Sequence, residues 1–259
     1  MRIITLNVNG LRAAARKGLF RWLAGQDADV ICLQEIRATE AQLQGEAFLL
    51  PGYHRYLFPA RRPGYSGVAL YCRRRPERVT AGLGFAQADE EGRYLQADFG
   101  RLSVATLYLP SGSAGPERQA AKYAFMDAFY EALALMRRRR RRYVICGDWN
   151  IAHKPIDLKN WRINQKHSGF LPEERAWLDR VFGEVPGGLG WVDGFRVVNQ
   201  EGGQYTWWSH RGRAWERNVG WRIDYQVLSP GLGAAVAGAS IYRGERFSDH
   251  APLVMDYDL

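Results

Sequence analysis

Two short, almost unbroken apolar segments that each close on an acid constrain the fold of this chain more than any other feature. Asp29–Glu35 (DVICLQE) and Tyr143–Asp148 (YVICGD) both contain Val-Ile-Cys, and both turn polar at their carboxyl ends. A strand without apolar–polar alternation is one covered on both faces, so these two belong to sheets with layers packed on either side. Further strands are expected at Arg2–Asn7, Ser66–Tyr71, Leu102–Leu109, Arg222–Leu228 and Pro252–Tyr257. Helical patterns fill the gaps at Leu11–Leu23, at Pro116–Met136 with apolar residues spaced i, i+3, i+4, and at Pro172–Phe182. Pro172 suits a first helical position, and Glu173 and Glu174 behind it complement the positive end of the helix dipole.

Strands interspersed with helices call for sheets with helices outside them. The echo between the two Val-Ile-Cys strands points to two similar halves facing each other. The expected fold is therefore α/β, a four-layer sandwich in which two mixed β-sheets pack face to face and are flanked by helices. Periodicity alone would also allow an open doubly wound sheet. The 259 residues, 46% of them hydrophobic, carry no composition shift that would mark a linker, so one domain over residues 1–259 is expected.

A net charge of +9 and a pI near 9.6 suggest a polyanionic partner. Six of those charges form one run, Arg137–Arg142, which leaves +3 for the rest. The run closes the Pro116–Met136 helix, where cations meet the negative end of its dipole. It also precedes the strand YVICG, whose five residues at about 3.3 Å each place the arginines roughly 16 Å from the far end of that strand. They are expected at the opposite pole from any site there. Cys32, Cys72 and Cys146 sit inside apolar runs without CxxC pairing, the pattern of buried, reduced thiols in a cytoplasmic protein rather than of zinc or dithiol chemistry. Asn7 and Asn9 interrupt the opening MRIITLNVNG, which does not read as a signal peptide, and no eighteen-residue apolar run would span a membrane.

The informative positions are those where polar residues end apolar strands. Asn7 and Asn9 end the first, Gln34 and Glu35 the second, and Tyr108 closes LSVATLY. Asp148 and Asn150 follow VICG, Asp224 lies within WRIDYQVL, and Asp249 and His250 precede APLVMDY. An Asp after a strand commonly caps a turn, and a Tyr in a strand is commonly core. Six strands delivering Asn, Glu, Tyr, Asp and His to one rim nevertheless describe a convergent site. Oxygen donors without cysteine or clustered histidine suit a hard cation, Mg²⁺ or Mn²⁺. One histidine beside several carboxylates suits attack by an activated water on an anionic ester. No GxSxG elbow, P-loop or dinucleotide glycine fingerprint occurs, which disfavours acyl transfer and nucleotide-driven work.

LNVNG, ICLQE, SGVALY, LYLPSG, CGDWNIAH, NVGWRIDY and SDHAPL, in this order, resemble the exonuclease III class of abasic-site endonucleases, a branch of the DNase I-like endonuclease/exonuclease/phosphatase superfamily. The likeness runs from Asn7 to His250. GDWN and SDH are shared with lipid and inositol phosphatases, whereas NVGWRIDY and DLKNWRINQKHSGFLPEER belong to the DNA-repair branch. The resemblance implies a monomeric, Mg²⁺-dependent phosphodiesterase of base excision repair. Its substrate would be double-stranded DNA with abasic sites or damaged 3′ ends, cut 5′ to the abasic site and trimmed in the 3′–5′ direction. It implies Glu35 as principal metal ligand, with Asn7 and Asp249 near the metal and its water shell. Asp148 would align or deprotonate the attacking water, and Asn150 would hold that water or the phosphate. His250, oriented by Asp224, would bind the scissile phosphate, and Tyr108 and Asn164 would add phosphate contacts. A Tyr108 phenolate is the alternative proton acceptor. Trp207, Trp221 and Ile223 would wall a tight pocket for a flipped-out sugar lacking its base, while Trp22, Trp177 and Trp191 read as core.

Two positions depart from that pattern. His167 stands where the repair enzymes usually carry a second Asn along the phosphate track, and Ser111 follows LYLP where Asn or Gln is common. Because His167 is bulkier and titratable, a predominantly 3′–5′ exonuclease with weak abasic-site activity is the first alternative. Another phosphatase or phosphodiesterase of the superfamily is the second. A DNA-binding protein without activity would be expected to lack Glu35, Asp148 or Asp249, and this chain has all three.

Overall fold

Each Val-Ile-Cys segment lies inside its own six-stranded sheet with every residue of its apolar run buried, as cover on both faces requires. The computed structural model describes residues 1–259. In chain order its strands are β1 (Arg2–Asn7), β2 (Val30–Gln34), β3 (His54–Phe58), β4 (Val68–Cys72), β5 (Arg78–Ala81), β6 (Tyr94–Phe99), β7 (Leu102–Tyr108) and β8 (Arg142–Asp148). There follow β9 (Val192–Asp193), β10 (Trp207–Trp208), β11 (Gly220–Trp221), β12 (Asp224–Leu228), β13 (Val236–Ile241) and β14 (Leu253–Tyr257). The helices are α1 (Leu11–Arg16), α2 (Leu19–Ala24), α3 (Ala86–Glu90), α4 (Pro116–Arg137), α5 (Trp161–Asn164), α6 (Pro172–Phe182) and α7 (Gly194–Val198).

One sheet has the order β13-β14-β1-β2-β4-β3 and the other β5-β6-β7-β8-β12-β9, while β10 and β11 form a separate ribbon. The two orders correspond position by position. Each has one central parallel pair, β1–β2 or β7–β8, with antiparallel neighbours on both sides. The echo between the Val-Ile-Cys strands is thus a correspondence of whole sheets, and the four-layer sandwich replaces the open doubly wound alternative.

Side-chain alternation assigns each strand residue to a layer. Ile3, Val30, Cys32, Val104, Val144 and Cys146 fill the space between the sheets. Ile4, Leu6, Ile31 and Leu33 point the other way, under α1 and α2 with Leu11, Leu19 and Trp22. On the far side Ala105, Leu107 and Ile145 meet Phe125 and Phe129 of α4 and Trp177 of α6. The inward positions change character toward one end of the sandwich: Ile3 gives way to Thr5 and Asn7, Cys32 to Gln34, Val104 to Thr106 and Tyr108, and Cys146 to Asp148. Gln34 lies between the sheets, donating to Thr5 Oγ1 and Thr106 Oγ1, each at 2.9 Å. It supports the polar end from beneath. All three cysteines are buried and free, and no helix is long and apolar enough to cross a membrane.

Several expected boundaries are corrected. The helix expected over Leu11–Leu23 is two helices, because Gly18 adopts φ +89 and breaks the repeat between Arg16 and Leu19. The strand expected from Ser66 begins at Val68, since Ser66 and Gly67 both take positive φ, and the strand expected from Arg222 begins at Asp224. The half-buried strands β3 and β13 and the edge strand β5 lack a legible apolar pattern, and β6 is a further strand beyond those expected. Arg137 closes α4 and Arg142 opens β8, six residue steps from Asp148. That is about 20 Å along the strand.

Candidate active site

The polar end of the sandwich opens into a groove of about 880 Å³. Glu35, Asn7, Asp249, Tyr108, Asp148, Asn150 and His250 all line it, together with Asn164, His167, Trp207, Trp221 and Ile223. Asp224 alone of the residues expected at the site is not exposed to the groove. It lies behind His250 and is fully buried. Gln34, at the same strand ending, belongs to the support just described.

The backbone is bent into unusual shapes to aim these groups. Asn9 (φ +44), Glu35 (φ +59), Arg37 (φ +48) and Asn150 (φ +51) all occupy the left-handed region. Such conformations are uncommon outside glycine and cluster where function holds them in place. One residue before Asp148, Gly147 has φ +142, and a Cβ there would meet the Leu107 carbonyl oxygen at 1.9 Å. Only glycine lets β7 approach β8 closely enough at that point.

Hydrogen bonds then fix the carboxylates. Asn7 Nδ2 donates to Glu35 Oε2 at 2.9 Å and to Asp148 Oδ2 at 2.8 Å, joining the two sheets. Asp148 Oδ1 accepts from the Asn150 backbone N–H at 2.9 Å, and Asn150 Nδ2 is anchored on the Leu109 carbonyl at 2.7 Å. Arg37 pairs with Glu35 Oε1. Asp249 accepts from Asn9 Nδ2 at 2.8 Å and from the Trp207 indole at 3.0 Å.

Asp224 and Asp148 are direct partners across β12 and β8, and His250 stands between them. Its Nδ1 is 2.9 Å from Asp224 Oδ2 and its Nε2 is 3.9 Å from Asp148 Oδ2. Burial would lower the His250 pKa, but the carboxylates of Asp224, Asp148 and Asp249 outweigh it and raise it to about 10. His250 is therefore an imidazolium near neutrality. Burial and the Asp224 charge push Asp148 up to about 7, against the pull of His250 and of the hydrogen bonds from Asn7 and Asn150. For Tyr108, burial and the charges of Glu35 and Asp148 push the phenol well above its usual range, opposed by the Arg93 guanidinium 4.8 Å above its ring. This weighs against a phenolate at Tyr108.

Apart from the His153–Asp179–Glu184 cluster, which lies outside the groove, two groupings could hold a metal ion. The ligand-type atoms of Asp148, Asp224 and His250 all lie within 4.8 Å of one another. There, however, His250 Nδ1 is already engaged with Asp224 Oδ2 at 2.9 Å. Glu35 and Asn7, with Asp249 beyond, offer carboxylate and amide oxygens on the groove, and Glu35 is paired only with the half-exposed Arg37 and with Asn7. That donor set fits a hard divalent cation.

Beside the carboxylates stands an apolar wall. The β10–β11 ribbon sets Trp207 against Trp221 with centroids 6.4 Å apart, and Ile223 and Phe170 complete the cluster. Arg222, between Trp221 and Ile223, is buried and clamps the segment from behind on Asp157 at 2.8 Å and Asp193 at 2.6 Å. Trp22, Trp177 and Trp191 are buried in the core, as expected. On the loop that leads into Phe170 of this wall His167 is exposed, and the Asn164 amide turns back to the Asn160 carbonyl at 3.0 Å.

No local pattern marks Lys122 or Glu174 as buried, the first being a lone lysine in α4 and the second reading as a first-turn acid of α6. Both side chains are fully buried and paired. Lys122 Nζ reaches the Asn150 carbonyl at 2.8 Å, and Glu174 Oε2 accepts from the Gly169 and Leu171 N–H groups at 2.6 and 3.0 Å. The pair ties the Asp148–Asn150 turn to the loop carrying His167. Arg37, Lys159 and Arg211, cations that face the groove, also lie outside the set expected from sequence. The one available signal for Arg37 is its place two residues after Glu35.

The chain belongs to the Endonuclease/Exonuclease/phosphatase family, which it matches over residues 4–250. It is 40% identical over 257 residues to the exodeoxyribonuclease of Bacillus subtilis (strain 168), with 98% of each chain covered. Its fold matches a solved AP endonuclease from Archaeoglobus fulgidus with a TM-score of 0.89 at 27% identity, and a 3′-5′ exonuclease from Neisseria meningitidis with 0.90 at 28%. Both chains are covered in full in each case.

Proposed function

We propose that this protein is a Mg²⁺-dependent DNA phosphodiesterase of base excision repair that hydrolyses the backbone 5′ to abasic sites and trims 3′ ends. The observation that carries this reading is one groove in which an oxygen-donor cation site, the Asp148–His250 pair and an apolar wall stand side by side. Glu35 and Asn7 would hold the ion, with Asp249 near its water shell, and an ion bound there would supply Lewis-acid relief of the charge that builds on the phosphate. Asp148, held by Asn7 and Asn150, accepts a proton from the attacking water. As water adds to phosphorus, the bond to the 3′ oxygen breaks and that oxygen takes up a proton from solvent water. The His250 imidazolium, positioned by Asp224, donates to a phosphoryl oxygen as its charge grows. Tyr108 and Asn164 steady the phosphate. Trp207, Trp221 and Ile223 admit a sugar without a base and exclude an intact nucleotide.

Two duplexes, one with an internal abasic analogue and one with a matched 3′ end, test the proposal directly. Both are expected to be cut in Mg²⁺. Cleavage of neither, with turnover of a phosphomonoester or phospholipid instead, would place the chain in another branch of the family.

His167 favours a balance shifted toward 3′-end trimming, because it lines the groove and its ring is bulkier than the Asn that the resemblance leads one to expect there. His167→Asn is expected to raise abasic-site cleavage relative to 3′-end trimming, measured as the ratio of the two activities. An unchanged ratio would make His167 a bystander. The arginine run lies too far along β8 to share in this groove. Replacing four residues of Arg137–Arg142 with Gln should leave cleavage at moderate salt and the salt slope of DNA binding nearly unchanged. A fall of about three or four units in that slope would make the run a DNA contact, since the slope counts phosphates neutralised.

A further inference from the structure

Two hollows rimmed by arginine lie outside the groove, and both reach the pole of the sandwich opposite it. Arg74, just beyond β4, and Arg142, at the start of β8, border one of about 430 Å³. Arg78, Arg139 and Arg141 border a cleft of about 410 Å³ between the end of α4 and strands β5 and β6. The second is a built feature. Tyr94 Oη donates to Gln96 Oε1, and Gln96 Nε2 to Asp98 Oδ1, each at 2.7 Å, forming a buried polar ladder along β6. Arg141 folds onto that ladder, with Nη1 3.1 Å from Ser103 Oγ and 3.4 Å from Asp98. Beside the ladder, Leu83 and Met136 give the cleft an apolar side, and Leu135 is 56% exposed at its lip. Arg78 and Arg139 are exposed at the rim without an ion pair.

An exposed leucine among uncompensated cations defines the complement. Duplex DNA would meet the arginines and leave the apolar side of the cleft empty. A chain that carries both carboxylates and a bulky apolar side chain would satisfy both parts. We propose that this cleft docks an acidic peptide segment of a partner protein, with an apolar side chain seated against Leu83, Leu135 and Met136. The carboxylates of that segment meet Arg78, Arg139 and the adjoining arginine run. The cleft runs along the outer, α4-covered side of the sheet, two strands over from β8, so a partner could hold the protein without covering its groove.

Fluorescence anisotropy with the full chain tests this, using a labelled peptide of six aspartates and two leucines. Companion probes are a peptide with serine in place of the leucines, and single- and double-stranded oligonucleotides. The leucine peptide is expected to bind in the micromolar range and to lose about tenfold or more in affinity when its leucines are removed. Leu135→Glu and Arg139→Glu, both at exposed positions, should each weaken it about tenfold while leaving DNA cleavage unchanged. Equal binding of the serine peptide would reduce the site to non-specific charge and overturn the proposal. So would wild-type peptide affinity in both variants. Displacement of the peptide by an oligonucleotide whose own binding falls in the same variants would also overturn it, by making this pole a nucleic-acid surface.

Discussion

Asp148→Asn and His250→Asn are each expected to lower turnover by about three orders of magnitude or more, with DNA affinity largely kept. Asp148 is the carboxylate on which the Asn7 amide, the Asn150 N–H and the His250 ring converge. Asparagine keeps its shape but cannot take a proton. His250 is the donor that Asp224 holds in place, and an asparagine side chain there would have neither the reach nor the charge of the imidazolium. The double variant should lose less than the product of the two single losses, because both groups act on one transition state. Full multiplicativity would mean that they serve separate steps.

Stability offers an independent check on the same pair. The folded protein raises Asp148 from its ordinary 3.8 to about 7. A carboxyl with a raised pKa binds its proton more tightly when folded, so ionising it costs stability as pH climbs from about 4 to about 7. In chelator, Asp148→Asn should therefore raise the melting temperature at pH 8 and leave it nearly unchanged below about pH 4. A lower melting temperature at pH 8 would show that the carboxylate is stabilised where it sits. His250→Asn should act in the opposite sense, because it strips Asp224 of its only buried cationic partner.

Glu35→Gln is the second substitution with a large expected effect. It keeps the size of the side chain and removes the formal charge that would hold the cation, so Mg²⁺ affinity and turnover should fall together, on the order of a hundredfold in turnover at sub-millimolar Mg²⁺. Unchanged activity under those conditions would take Glu35 out of the metal site.

Much of this site is written in the sequence because the fold makes it legible. β2 and β8 are covered on both faces, so any polar residue at their ends interrupts an apolar run and stands out. The inward faces of β1, β7 and β8 turn polar at the same end, which brings Asn7, Tyr108 and Asp148 together. α6 announces itself through Pro172 and the two glutamates after it. What the sequence hides depends on contacts between distant segments. Lys122 and Glu174 look like solvated helix residues until α4 and α6 pack and bury them as a pair. The positive φ of Glu35 follows from a turn pinned to Ser66 and Gly67 by the Arg37 and Ile36 N–H groups, which no local pattern records. The half-buried strands β3, β5 and β13 are all sheet edges, so they carry no unbroken apolar run.

The most direct measurement follows one duplex with a single internal abasic analogue through Mg²⁺, then excess EDTA, then restored Mg²⁺, with the cut ends mapped. A single cut 5′ to the abasic residue is expected, leaving a 3′-hydroxyl, abolished by chelator and recovered with the metal. Cleavage that persists in EDTA, or a cut elsewhere than 5′ to the lesion, would contradict the assignment of Glu35, Asp148 and His250 to metal-assisted hydrolysis at abasic sites.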